Sequence, residues 1–153
     1  MARAESPIVY WDASVILSSL FTDCHSALAF EWARADGIHL MSSLAYAEAW
    51  AVMSRLRRER ILADVLIEAA AATLDQGPWR RLHSQPDWKL VRSLAGKWPL
   101  RGADLWHLAT AKNLKSELTH LVLLTFDARL REAAAGEGLA PRVRQIRRPR
   151  QQR

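Results

Sequence analysis

The chain has 153 residues, half of them hydrophobic and a quarter charged, which fits one soluble, globular domain able to bury a core without disulfides or structural metals. Its single cysteine, Cys24, excludes an internal disulfide and a cysteine-built zinc site, and no apolar run approaches the roughly 18 residues that cross a membrane. Asp12 interrupts the stretch where a signal peptide would carry its apolar segment, so the chain reads as cytoplasmic. Lysine and arginine number 22 against 16 acids, but residues 142–153 hold six arginines and no acid, so the rest is balanced. A second basic stretch places Arg80, Arg81, Lys89, Arg92, Lys97 and Arg101 against Asp87 alone. Both stretches suit a polyanionic partner, although a solvated tail and ordinary surface charge read the same way.

In chain order, Ile8–Trp11 is a short β-prone run ending at Asp12, and residues 14–20 form a short helix. Thr22 or Asp23 is placed to cap a further helix that Gly37 ends. Residues 38–41 make a second strand, after which Ser42 or Ser43 caps a long helix to about Arg58, with Leu44, Ala47, Ala51, Met53 and Leu56 near helical spacing. Residues 61–74 are alanine-rich and helical until Gly77 and Pro78 break the pattern. Residues 79–83 fit a short strand, residues 86–97 a helix with proline in its first turn, and residues 102–114 another helix after Pro99. Residues 120–125 are apolar enough to lie in the middle of a sheet, and residues 128–135 are helical. Residues 142–146 fit a last edge strand, which makes residues 1–146 the domain and 147–153 a basic tail. Short strands, each followed by helices, predict an α/β fold with a short parallel sheet between two helical layers.

In an open parallel sheet, ligands bind beyond the carboxyl ends of the strands, where the strand order reverses. Asp12 follows the first strand directly, Asp127 follows the most apolar strand by two residues, and Glu48 lies early in the helix after the second strand. All three therefore fall toward the carboxyl edge. Asp104 stands in the first turn of its own helix, and a helix N-terminus packed on that edge would bring it in. Each acid has a structural explanation: Asp12 and Asp127 can cap helices, Asp104 suits a helix dipole, and Glu48 is an ordinary helical residue. Three βα junctions delivering an acid to one edge are harder to explain that way. Clustered carboxylates repel and raise one another's pKa, and a hard divalent cation removes that penalty. Mg²⁺ takes one or two carboxylates with waters and phosphate oxygens, a donor set suited to phosphodiester hydrolysis. The basic stretches are candidates for holding the remainder of a nucleic acid.

Four segments taken together are informative: Val9-Tyr10-Trp11-Asp12-Ala13-Ser14; Ser42-Ser43-Leu44-Ala45-Tyr46-Ala47-Glu48; Arg101-Gly102-Ala103-Asp104-Leu105-Trp106-His107-Leu108-Ala109-Thr110-Ala111; and Leu124-Thr125-Phe126-Asp127-Ala128-Arg129-Leu130. In this order and at these separations, over about residues 8–146, the chain resembles the PIN-domain ribonucleases, and within them the VapC-type toxins of bacterial toxin–antitoxin pairs. The resemblance implies a three-layer α/β/α PIN-like domain and a metal-dependent endoribonuclease that hydrolyses RNA phosphodiester bonds. It implies Mg²⁺ or Mn²⁺ held directly by Asp12 and Asp104, with Glu48 and Asp127 completing the site directly or through water. It implies that Ser14 and Thr125 support the site by hydrogen bonding, and it implies a homodimer and a cognate antitoxin whose tail covers the acidic pocket. The arginine-rich tail and the stretch from Gln76 to Pro99 lie outside these motifs.

His107 follows Asp104 by three residues and so shares its helix face, which places it beside the site as a packing or hydrogen-bonding residue before a ligand. The five histidines show no Glu-x-x-His or His-x-His spacing, which argues against zinc. Cys24 reads as a buried helical residue. Trp32, Trp50 and Trp106 read as core or interface residues, whereas Trp79, Trp88 and Trp98 are interleaved with cations and fit either a small core or a surface that stacks bases. Two other functions stay open. One is a catalytically inactive PIN-fold module that binds RNA or protein, which the four acids disfavour. The other is an aspartate-nucleophile phosphatase, which the absence of a second aspartate two residues after Asp12 disfavours.

Overall fold

Three largely apolar runs and the edge segment Trp-Arg-Arg-Leu, each of four or five residues, become strands because each is long enough to cross a small sheet and too short for a stable helix. The computed structural model describes residues 6–142. In chain order it contains β1 (Ile8–Trp11), α1 (Ala13–Leu20), α2 (Ser26–Arg34), β2 (Ile38–Ser42), α3 (Ser43–Arg58), α4 (Asp64–Gln76), β3 (Trp79–Leu82), α5 (Trp88–Lys97), α6 (Gly102–Lys115), β4 (Leu121–Leu124) and α7 (Ala128–Gly136). All strands pair in parallel, in the order β3-β2-β1-β4. Ile8 lies opposite Ile38 and Leu121, and Trp11 opposite Met41 and Leu124, so the residues after β1 and β4 share one edge. The chain steps from β1 outward to β2 and β3, then returns to the other side of β1 as β4. The reversal therefore falls between β1 and β4, where a parallel sheet opens a crevice.

Side chains alternate across a strand, and both faces of this sheet are covered. Val9, Trp11, Met41, Val122 and Leu124 pack on residues of α1 to α4, among them Val15, Ile16, Ala45, Met53, Ile67 and Leu74. Tyr10, Leu40, Leu121 and Leu123 pack on residues of α5 to α7, among them Leu94, Leu108, Leu130 and Ala133. This is the predicted three-layer α/β/α arrangement, and it explains why every residue of β4 is buried. Burying each such large apolar side chain is worth about 1.5–3 kcal/mol. Trp11 can be buried because its indole N–H donates to His39 Nδ1 at 3.0 Å, while His39 Nε2 faces the Ala35 carbonyl at 3.0 Å. Burial lowers the pKa of His39, which keeps Nδ1 available as an acceptor.

Side chains at the strand ends start the helices. Asp12, Ser42, Asp87 and Asp127 are the N-caps of α1, α3, α5 and α7, accepting from the backbone N–H of Val15, Ala45, Leu90 and Leu130. The capping explanation for Asp12 and Asp127 is therefore true, and it does not exhaust what they do. Elsewhere the sequence reading needs correction. Neither Thr22 nor Asp23 caps α2, which has His25 at its N-cap with no side-chain cap bond. The Asp23 carboxylate is instead spent on the Ser18 hydroxyl (2.7 Å) and the His25 N–H (2.7 Å). Cys24 lies exposed in the turn before α2 and is not a buried helical residue. The helix predicted from residue 61 begins at Asp64, because Ile61 closes the end of α3 by donating to the Leu56 carbonyl at 3.0 Å. Pro86 lies before α5, not inside it. The edge strand at 142–146 and the basic tail at 147–153 lie outside the described residues, apart from Arg142. Among the described residues, no helix is long and apolar enough to cross a membrane.

Candidate active site

Asp12 is 3% exposed, and both of its carboxylate oxygens are engaged. Oδ1 accepts from the Ser14 hydroxyl at 2.6 Å and the Val15 N–H at 3.2 Å, and Oδ2 accepts from the Thr125 hydroxyl at 2.5 Å. The two hydroxyl oxygens accept in turn from beyond β4: Ser14 Oγ from the Phe126 N–H at 3.0 Å, and Thr125 Oγ1 from the Asp127 N–H at 3.1 Å. With the Asp12 N–H donating to the Leu124 carbonyl at 3.1 Å, this network ties the ends of β1 and β4 across the crevice. Asp12, Ser14, Thr125 and Asp127 are thus brought together.

Glu48 reaches the cluster from α3 and is held from the opposite layer. Glu48 Oε2 lies 2.8 Å from Nε2 of His107 on α6, and His107 Nδ1 lies 2.7 Å from the Tyr10 hydroxyl on β1. One tautomer satisfies both contacts, with the Tyr10 hydroxyl donating to Nδ1 and Nε2–H donating to Glu48. His107 therefore stands where its spacing from Asp104 put it, as a hydrogen-bonding neighbour of the site. Tyr10 was not singled out from the sequence. The signal was its position one residue before Trp11, which turns it to the face that α6 covers.

Burial pushes the Asp12 carboxyl up, and the donors Ser14, Thr125 and Val15 pull it down without cancelling that rise. Asp104 is raised too, first by burial and then by the charges of Asp127 and Asp12, with Glu48 adding to the rise and His107 opposing it. Asp104 therefore feels the charges of the other three acids, although each comes from a different element. None of the ion pairs between described residues brings a lysine or arginine to them, and Glu48 meets only His107. Among the described residues, no three His, Cys, Asp or Glu side chains are already gathered as a finished metal cage. The donor set still fits a hard divalent cation: every donor is a carboxylate or hydroxyl oxygen, two carboxylates are electrostatically strained, and Mg²⁺ is commonly held by one or two carboxylates with water.

A family model described as PIN domain matches residues 9–136. Among solved structures, the chain is similar to PAE2754 from Pyrobaculum aerophilum, with a TM-score of 0.58 and 20% identity over 83% of this chain and 79% of that one. It is also similar to VapC20 of Mycobacterium tuberculosis, described as a sarcin-ricin loop cleaving toxin, with a TM-score of 0.52 and 19% identity over 84% of this chain and 95% of that one. At these identities the structural likeness speaks for the fold. No curated protein matches the chain.

Proposed function

We propose, from the premise that this chain belongs to the PIN-domain family, that it is a metal-dependent endoribonuclease and the toxin of a VapC-type toxin–antitoxin pair. One observation carries the reading. Asp12 and Asp104 are both raised at the crevice between β1 and β4, with Asp127 and Glu48 beside them and, among the described residues, no lysine or arginine ion-paired to any of the four. Such a cluster costs stability until a cation joins it. Asp12 and Asp104 would hold Mg²⁺ or Mn²⁺ directly, and Glu48 and Asp127 would complete the site directly or through water. When bound, the ion supplies Lewis-acid polarisation of the phosphodiester and activation of a water. The chain's own residues orient. Ser14 and Thr125 fix the Asp12 rotamer from both sides, and Tyr10 holds His107, which holds Glu48. No protein nucleophile is required.

The likeness to VapC20, a sarcin-ricin loop cleaving toxin, supports the toxin reading with RNA as substrate; an antitoxin as partner, a homodimer as assembly and the cytoplasm as location are proposed with it. An antitoxin tail bearing an arginine would suit this pocket, because a guanidinium forks onto carboxylates.

The test is RNA cleavage by the purified chain in Mg²⁺, in Mn²⁺ and in EDTA, with Asp12→Asn purified in parallel. That variant should fold, since the amide keeps one oxygen for Val15 and Ser14 and can donate to Thr125 Oγ1. Cleavage should require the metal and fall about a thousandfold or more in the variant, corresponding to about 4 kcal/mol of transition-state stabilisation. Equal cleavage by the variant overturns the assignment. Metal-independent RNA binding without cleavage would instead make the chain an inactive PIN-fold module.

A further inference from the structure

The fold separates the three tryptophans of the basic stretch. Trp79 is buried with its ring 5.4 Å from that of Trp11, and Trp98 packs against the second core while its indole N–H donates to Glu137 at 2.9 Å. Trp88 is different. It stands at the first position of α5 and is 87% exposed, more than any other large hydrophobic residue described. With Gln85, Pro86, Val91 and Trp106 it lines a cleft of about 310 Å³.

Position, charge and size say what this cleft would take. Gln85 and Pro86 lie on the segment that leaves the carboxyl end of β3, the edge that carries the acids. Trp106 stands two residues after Asp104 on α6, and its ring meets His107 edge-on at 5.6 Å. The cleft therefore shares α6 with the carboxylate cluster and opens on another face of that helix, since residues two apart do not face each other. Lys89 and Arg92 on α5 and Arg101 before α6 are exposed and form no ion pair with any described residue, whereas Lys97 and Arg81 are occupied by Glu137 and Asp75. Arg92 lies one helical turn from Trp88 on the same face. A pocket of this size is at the small end of ligand sites, which fits one planar ring system. Aromatic walls among unpaired cations are the means by which single-stranded nucleic acids are held, with bases stacked on the rings and phosphates on the cations. An acidic cluster alone repels a polyanion, so binding contacts of this kind are needed close to it.

We infer that the Trp88–Trp106 cleft is a subsite for one unpaired nucleobase of the RNA substrate, with Lys89, Arg92 and Arg101 on neighbouring phosphates. The inference rests on the ribonuclease reading above and sharpens it: the strand must be unpaired where it crosses α5 and α6.

The test uses the full chain in EDTA, so that metal-dependent cleavage is arrested, and measures anisotropy with a fluorescent single-stranded RNA. Trp88→Ala should weaken binding about tenfold, within the roughly 5- to 150-fold that one stacked base is worth. Trp88→Phe should keep most of the affinity, and a blunt, fully paired RNA duplex should not distinguish Trp88→Ala from wild type. Lys89→Ala should weaken all RNAs alike and lower the salt slope by about one unit. The exposure of Trp88 makes these variants safe to fold. Wild-type affinity in Trp88→Ala overturns the subsite while leaving the nuclease intact. A change of sedimenting mass in Trp88→Ala overturns it in favour of a face between copies of the chain. Failure of the wild-type chain to bind RNA in EDTA overturns the subsite, whereas failure to cleave RNA in Mg²⁺ or Mn²⁺ is what removes the ribonuclease reading.

Discussion

Two acidic regions lie at opposite ends of the helices that connect them, and they are built in opposite senses. Asp127 starts α7 at the carboxyl edge of the sheet, and Glu137 caps its other end, across nine helical residues and about 15 Å away. Glu137 is nearly buried and fully partnered: Lys97 Nζ donates at 2.7 Å, Trp98 Nε1 at 2.9 Å, and Lys112 Nζ lies 3.1 Å from its other oxygen. Lys97 first, then Trp98, pull its pKa down to about 2. At the carboxyl edge, Asp12 and Asp104 are pushed up instead, and among the described residues no lysine or arginine is ion-paired there. One region holds three helix ends together and is electrostatically finished within the chain. The other is left short of positive charge where a parallel sheet binds ligands.

The largest break of this contrast comes from loading the unfinished end. Under the metal reading, Mn²⁺ at a hundredfold excess over its Kd should stabilise the wild type by about 2.7 kcal/mol, a rise in Tm of roughly 5–10 °C. Asp104→Asn should lose most of that rise and, because it removes one repelling charge, should melt higher than wild type in EDTA. Glu137→Gln should do the reverse, losing about 2 kcal/mol of stability while keeping the full response to Mn²⁺. Differential scanning calorimetry of the three proteins with and without metal decides it. A full Mn²⁺ shift in Asp104→Asn would remove that residue from the site.

The two ends were not equally legible in the sequence. Asp12 and Asp127 could be placed because each follows a strand by one to three residues, so a correct strand carries its acid to the correct edge, whereas Ser14 and Thr125 came only with the resemblance to the PIN-domain ribonucleases. Asp104 could not be placed that way, since its closeness to Asp127 depends on how α6 packs on the sheet. Tyr10 was missed because a strand of four residues does not say which helical layer will cover which face. Glu137 was missed for a stronger reason: its partners Lys97 and Lys112 are 40 and 25 residues away, and nothing local marks them. Asp23 shows the converse, a sound capping signal overridden because its carboxylate found closer donors. Of the tryptophans between Gln76 and Pro99, the composition could not tell the two that pack from the one that is exposed.

A pH titration sharpens the same contrast with smaller effects. Glu137 has a folded pKa below its ordinary 4.5, so the unfolded chain binds more protons between 4.5 and about 2. Its stabilisation is complete above that window and is lost as pH falls through it. Asp12 and Asp104 have folded values above the ordinary 3.8, so the sign inverts, and their contribution is present at low pH and lost as pH rises through the folded values. In EDTA, acidification from pH 7 should therefore relieve the carboxyl edge before it damages Glu137. Glu137→Gln should flatten the loss below pH 4.5, worth about 2 kcal/mol once the partly exposed lysines are discounted, and Asp104→Asn should flatten the gain that comes as its raised carboxyl takes up a proton. Urea melts across pH 3 to 7 read both slopes. A Glu137→Gln profile parallel to wild type would show that this cluster is not electrostatically stabilising.

The smallest effect comes from a position that belongs to neither end. Arg60 is the one described non-glycine residue with positive φ, at 52°, immediately after α3. Its N–H donates to the Arg57 carbonyl at 3.1 Å, and the Ile61 N–H donates to the Leu56 carbonyl at 3.0 Å, the paired bonds of a Schellman ending. Glycine is the residue that takes this conformation without steric cost, and the Arg60 side chain forms no ion pair with the described residues. Arg60→Gly should therefore stabilise the fold by about 0.5–1 kcal/mol, a rise in Tm of roughly 1–4 °C. Since α3 carries Glu48 in its second turn and Arg60 just beyond its last, the variant also asks whether tightening one end of that helix reaches the other. The contrast between the two acidic regions holds that it does not. Charge left short at the carboxyl edge is compensated by a ligand and not by helix stability, so the Mn²⁺ shift and the RNA affinity of Arg60→Gly should equal those of the wild type. A changed Mn²⁺ shift would mean that the placement of Glu48 depends on the whole length of α3 and not on its contact with His107.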